Sequence, residues 1–292
     1  MANKRLSNTS PFLPLALFII LCIFITVVGI IKEIKKEKIP PVPVAPIIKK
    51  EEPSGIKSGI KKAILPSRKK EGVQIGIIID DLGWNREIAE EIEKINKPIA
   101  ISILPYAPYS KEVFTEFKRN GTIEILLHLP LEPRPPVQSF DKGVIKTEMS
   151  NEEINRRFYE ALENFYPGVK GVNNHQGSLF TSDEEKMRIL LGAIQSKNLF
   201  FVDSMTARES KGYTLAKEMG IKTAKRDIFL DNKSDPEYIK GQIRELVEVA
   251  KKKGKAIGIG HARRATIDVL KDILPEIEKE GVEIVPVSSL VE

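Results

Sequence analysis

From Val73 onward, short apolar runs alternate with longer amphipathic ones, and this alternation restricts the fold more than any other feature of the chain. VQIGIIID is followed by NREIAEEIEKIN, PIAISIL by SKEVFTEFKRN, and IEILLHL by NEEINRRFYEALENF. The pattern continues through VKGVNNH, DEEKMRILLGAIQSK, LFFVDS, a short helix near Leu215, IKTAKRD, DPEYIKGQIRELVEVAKKK, KAIGIGH, TIDVLKDILPEIEKE and VEIVPVS. Helical spacing in the long runs and continuous Ile/Val/Leu in the short ones predict a β-α-β-α order with roughly eight strands. Strands without polar alternation are covered on both faces, the condition of a parallel sheet flanked by helices. Residues 73–292 suit one (β/α) barrel. An open doubly wound sheet is the alternative, but IIIDDLGW stands where a nucleotide-binding sheet would carry its glycine-rich loop.

The preceding residues cannot join that core. Pro11 to Ile31 form an uncharged apolar stretch about as long as the ~20 residues a membrane-spanning helix needs. The run passes straight into IKEIKKEK with no small-residue cleavage site, which reads as an uncleaved signal anchor. Lysines flank it on both sides, so charge does not set its orientation. Residues 32–72, rich in Lys and Pro, are expected to form an extended tether. The expected organisation is therefore a short segment 1–10, an anchor 11–31, a tether 32–72 and a globular domain 73–292.

Charge divides along the same boundary. Residues 1–72 hold 14 Lys and Arg against 5 Asp and Glu, and the remainder holds 32 against 35. The basic character belongs to the tether, and the domain offers no basic footprint for nucleic acid. The only cysteine, Cys22, lies inside the apolar stretch, so no intrachain disulfide can form.

In parallel α/β folds the loops after the strands' C-terminal ends build the site. Asp80 and Asp81 close the first apolar run, His128 the third, His175 the fourth, Asp203 the fifth, Asp227 the sixth and His261 the seventh. The chain has no other histidine. Singly, each imidazole is as well explained by a hydrogen-bonded core position; jointly, chance placement at strand ends is a poor account. One of the two aspartates is equally suited to capping the helix after Asn85. The other reading divides the pair between a metal and a substrate, and a carboxylate with two imidazoles is a common ligand set for zinc and similar divalent ions.

IDDLGWN, LLHLPLEP, GVNNHQGSLFT, FFVDSMT, RDIFLDN and IGIGH resemble the motifs of the divergent polysaccharide deacetylases over Val73 to Glu292. The resemblance implies a distorted (β/α) barrel of about seven to eight parallel strands, of the glycoside hydrolase/deacetylase type. It also implies a metal-dependent enzyme acting outside the cytoplasmic membrane, periplasmic or extracellular, on an acetylated polysaccharide or peptidoglycan-like glycan. In the main deacetylase family the first acid of an Asp-Asp pair is the base and the second a ligand, positions matched by Asp80 and Asp81. That family's two ligand histidines stand one helical turn apart, whereas LLHLPLEP has only His128, with Pro130 and Glu132 following. Strand-end placement makes His175 the replacement, giving Asp81, His128 and His175 around a divalent ion, zinc first; Glu132 is the weaker substitute.

By the same resemblance His261 protonates the leaving group, and Asp203 orients an imidazole or tunes its pKa. Asn173, Asn174 and Ser178 are expected to bind sugar hydroxyls, and Trp84 either to stack on a sugar ring or to pack against a helix. Arg226, Asp227, Asp231 and Asn232 read as a turn and helix cap before Pro236. The expected chemistry is hydrolysis of an acetyl group by a metal-activated water with Asp80 as base. The rival is a tethered glycan- or partner-binding barrel that keeps the site without turnover.

Overall fold

The computed structural model describes residues 72–136 and 142–292. Residues 1–10, the expected anchor 11–31 and nearly all of the tether lie outside them. No helix among the described residues is long and apolar enough to cross a membrane.

Among the described residues, nine strands form one parallel sheet: β1 (Val73–Leu82), β2 (Ala100–Ile103), β3 (Glu124–Leu131), β4 (Gly171–Gln176), β5 (Phe200–Asp203), β6 (Thr223–Lys225), β7 (Ile228–Phe229), β8 (Lys255–His261) and β9 (Val282–Ile284). The spatial order is β6-β5-β4-β3-β2-β1-β8-β7, with β9 paired to the start of β1. Among the described residues, seven α-helices lie between them: α1 (Arg86–Glu93), α2 (Ser110–Asn120), α3 (Asn151–Leu162), α4 (Glu184–Ser196), α5 (Gly212–Glu218), α6 (Pro236–Lys253) and α7 (Arg264–Lys279). Among the described residues no ladder joins β6 to β7, so the barrel stays open there. Beside the opening, the chain end pairs with β6 through reciprocal Thr223–Glu292 backbone hydrogen bonds of 2.9 and 3.0 Å.

The expected segmentation holds with one difference. The stretch IKTAKRD ends as a strand at Lys225, before Asp227, and a separate two-residue strand, β7, follows and pairs with β8. Helix boundaries follow local chemistry: Ser150 and Asp183 accept from the N–H groups of Glu153 and Lys186, capping α3 and α4 ahead of acidic first turns.

The pleat sorts the strand residues into two cores. Ile75, Ile77 and Ile79 pack outward with the helices, as do Leu127 and Val172. Ile78, Ala100, Leu126, Phe200, Val202, Ile257 and Ile259 fill the barrel interior. Side chains alternate along a strand, so continuing the inner parity toward the C-terminal ends reaches Asp80, Ser102, His128, Asn173, His175 and His261. The interior is thus apolar below and polar at one mouth.

Candidate metal centre and active site

Asp81 breaks the parity rule, and its backbone explains how it still faces inward. Its φ is 64°, a left-handed conformation that Asp tolerates better than most residues. The turn brings its carboxylate back beside its neighbour's. Gln176, the last residue of β4, and Met205, two residues past β5, also have positive φ, at 54° and 50°. Such conformations persist where the surrounding structure enforces them, and they gather at functional sites.

Asp81 Oδ1 lies 3.2 Å from His128 Nε2 and 3.0 Å from His175 Nδ1, and the two nitrogens are 3.2 Å apart. The imidazoles meet edge to face, with centroids 4.9 Å apart. Asp81 Oδ1 is buried and has no hydrogen-bond partner: its approaches to the nitrogens have the distance of hydrogen bonds without the geometry. An orphaned buried carboxylate oxygen is costly. Three ligand atoms around a tetrahedral ion with bonds of roughly 2.0–2.1 Å would stand about 3.3 Å apart. The donor set and its spacing therefore fit a divalent cation, and among the described residues Asp81, His128 and His175 form a group able to hold one.

Asp80 is 2% exposed, with Oδ2 3.6 Å from His128 Nε2 and Oδ1 accepting from Asn173 Nδ2 at 2.9 Å. Burial raises its pKa above the ordinary carboxylate range despite the pull of His128. That direction suits a proton acceptor working near neutral pH. Burial also opposes ionisation of Asp81, but the flanking His128 and His175 outweigh it and hold that carboxyl far below the usual range. The two adjacent acids thus differ in character, as two separate roles require.

Burial by itself would lower the pKa of His128, yet Asp80 and Asp81 raise it to about 9. Its folded value lies above the unfolded one, so the stabilisation is complete below about pH 6.5 and lost as pH rises through about 9. Metal-free protein is expected to show a falling thermal midpoint across that window, with the fall much reduced in His128→Gln. Metal must displace the same proton, so affinity is expected to rise with pH over the same interval. Calorimetry in buffers of different ionisation enthalpy reads the release.

His261 pairs in register with Asp80 across β8 and β1. Its Nδ1 meets Asp231 Oδ1 at 2.7 Å, and its backbone N–H and the Thr266 hydroxyl both donate to Asp231 Oδ2. Burial pulls the His261 pKa down, but Asp231 carries it above the ordinary value. Phe229 stacks on the imidazole at 5.8 Å, and the Arg226 guanidinium covers Phe229 at 3.7 Å from its centroid.

The remaining sequence expectations divide. Asp203 has outward parity and meets no imidazole: its buried carboxylate accepts from Met205 N–H, Ser210 Oγ and Tyr213 N–H, pinning the loop into α5. Asp231 makes the contact expected of Asp203. The turn-or-cap reading of Asp231 fails because Asp235 caps α6, accepting from Tyr238 N–H. The usable signal was a second acid just past a three-residue apolar run, IFL, too short to register as a strand.

Asn173 and Asn174, at 0% and 1% exposure, cannot reach a sugar. Asn174 accepts from Ser204 N–H and donates to Gln176 O, holding the ends of β4 and β5 together. Ser178 accepts from Arg134 N–H at 2.9 Å and is only half-buried. Trp84 is 58% exposed instead of packed on a helix, and borders a small cavity with Tyr106, Pro130 and Lys142. Glu132 accepts from both Thr147 N–H and Thr147 Oγ1, which commits it to the neighbouring loop and not to the metal group.

The chain matches the family model described as divergent polysaccharide deacetylase over residues 77–291. It is 32% identical over 217 residues to the uncharacterised protein YibQ of Escherichia coli, covering 74% of this chain and 67% of that one. An uncharacterised Haemophilus influenzae protein is 35% identical over 217 residues, covering 74% and 76%. Among solved structures, an uncharacterised protein from Agrobacterium tumefaciens aligns with a TM-score of 0.71 at 22% identity, covering 75% of this chain and 89% of that one, a likeness of fold.

Proposed function

Because the chain belongs to the divergent polysaccharide deacetylase family, we propose that it is a metal-dependent hydrolase removing acetyl groups from an envelope or extracellular glycan. The observation that carries this reading is the convergence of Asp81 Oδ1, His128 Nε2 and His175 Nδ1, with Asp80 and His261 side by side on adjacent strands. Asp81, His128 and His175 would hold the ion, with zinc the first choice for two imidazoles and one carboxylate. A bound divalent cation would polarise the acetyl carbonyl and lower the pKa of water nearby.

Asp80 takes the proton of the attacking water, and His261 gives a proton to the departing nitrogen or oxygen of the sugar. The carbonyl carbon gains a bond to the water oxygen and loses its bond to the sugar heteroatom, leaving acetate and a deacetylated residue. Trp84 presents an exposed aromatic face near Pro130, suited to a sugar ring, and Ser178 retains a hydroxyl hydrogen to offer. Residues 11–31 anchor the chain in a membrane, and 32–72 carry the domain into the space outside the cytoplasm.

The rival non-catalytic reading was motivated by the absent motif histidine. His175 in the same cluster as His128 supplies a second imidazole and supports the hydrolase reading over it. Metal content of the purified protein, with acetate release from acetylated chitooligosaccharide and peptidoglycan, tests the proposal. The wild type is expected to carry about one divalent ion per chain and release acetate, and His128→Ala to do neither. A metal-loaded wild type inactive on both substrates would favour the binding barrel.

A further inference from the structure

The buried amide of Asn173 takes no part in the roles assigned above, and its surroundings are complete. Its Oδ1 lies 3.0 Å from His128 Nδ1 and accepts from the Ser102 hydroxyl. Its Nδ2 donates to Asp80 Oδ1 at 2.9 Å and to Ser204 Oγ at 3.2 Å. A primary amide has two donor hydrogens and two acceptor lone pairs, so every one is used in a side chain with no exposed surface. The partners belong to β1, β2, β3 and the residue just past β5, so this one side chain ties together the ends of five consecutive strands of the sheet.

The amide fits only one way round. Turning it over would set its oxygen against Asp80 Oδ1, two acceptors facing each other away from water, and its NH2 group against His128 Nδ1. With the oxygen toward His128, Nδ1 must be the donor. In a neutral imidazole the other nitrogen then carries the lone pair. That nitrogen is Nε2, the atom that faces Asp81 Oδ1 and His175 Nδ1.

We propose that Asn173 is a positioning residue linking the base to the metal group: the Asp80 carboxylate fixes the amide's orientation, and the amide fixes the His128 tautomer that leaves Nε2 available as a ligand. The inference rests on the metal-site reading above and deepens it. Aspartate at this position would still accept from His128 but would oppose Asp80 with a second acceptor. Leucine, similar in volume, would lose both contacts.

The test uses the full-length protein and two readouts besides activity. Zinc affinity is measured by competition with a chromophoric chelator, and the His128 tautomer by nitrogen-15 histidine NMR of metal-free protein at alkaline pH, where the ring is neutral. The wild type is expected to carry its proton on Nδ1. Asn173→Leu is expected to weaken zinc binding by about 10- to 100-fold, the range typical when a metal-bound histidine loses its outer partner, and to lose the Nδ1–H signature. Asn173→Asp is expected to hold zinc within a few-fold of wild type while losing acetate release.

If Asn173→Leu does not fold, Ser102→Ala removes one support of the amide and is expected to weaken zinc binding by a smaller factor, while unchanged affinity there would overturn the proposal. Wild-type affinity in folded Asn173→Leu, or an Nε2–H tautomer in the wild type, overturns it as well. A wild type that binds zinc with the Nδ1–H tautomer but releases no acetate would refute the hydrolase reading and leave this inference standing. A wild type that binds no zinc would end both.

Discussion

Asp81→Asn is expected to lower zinc affinity by at least about 100-fold and to bring acetate release to background, a loss on the order of 10³-fold or about 4 kcal/mol of transition-state stabilisation. Asparagine is the informative replacement because it tolerates the left-handed backbone that residue 81 adopts, φ 64°. Alanine there would mix backbone strain with loss of the ligand. The amide keeps the shape of the carboxylate but not its charge, and charge is what lets this oxygen sit buried without a hydrogen-bond partner between two imidazoles. Circular dichroism of the variant should match wild type, since the side chain supports no secondary structure. Full zinc occupancy together with acetate release within tenfold of wild type would remove Asp81 from the ligand set.

The same residue shows where the sequence was legible and where it was not. The strand ends were legible because continuous Ile/Val/Leu runs mark buried parallel strands, and such folds place their chemistry at the C-terminal ends. His128, His175 and Asp80 follow from that rule, and the pleat refines it. Counting alternately from Ile78, Leu126 and Ile259, which line the interior, reaches Asp80, His128 and His261 but assigns Asp203, next to inward Val202, to the outer side. Asp203 closes a strand yet holds a loop.

What the sequence hid has two causes. The positive φ of Asp81 is a local backbone choice that the pattern IDDLGW does not specify, so two neighbouring acids could share one site against the parity rule. The other cause is strand length. A two-residue strand, Ile228–Phe229, carries no periodicity, and without it Asp231 reads as part of a polar turn. Asn173 was visible as the first of two neighbouring amides just before the strand-end His175. Its burial and four partners depend on which strands neighbour it, which is a property of the sheet and not of the local sequence.

Asp231→Asn separates the proton donor from the metal group. It is expected to reduce kcat by about 10²- to 10⁴-fold, the range of general acid–base contributions, with zinc affinity within a few-fold of wild type. In the native site Asp231 Oδ2 accepts from both His261 N–H and the Thr266 hydroxyl, while Oδ1 faces His261 Nδ1. An asparagine keeps its oxygen toward the two donors, which turns its NH2 group onto His261 Nδ1. A protonated imidazole would then oppose N–H with N–H, so the charged form is penalised. Asp231 is what raises the His261 pKa against the opposing effect of burial, and its loss lowers that pKa. His261 must be protonated to donate, so the alkaline limb of the pH–rate profile should move to lower pH in the variant. Asp203→Asn gives the contrast, because its carboxylate serves a loop: a lower thermal midpoint, a cost of about 1–3 kcal/mol for disturbed buried donors, and an alkaline limb that stays in place. An unmoved limb in Asp231→Asn, with kcat near wild type, would mean that His261 is not the proton donor.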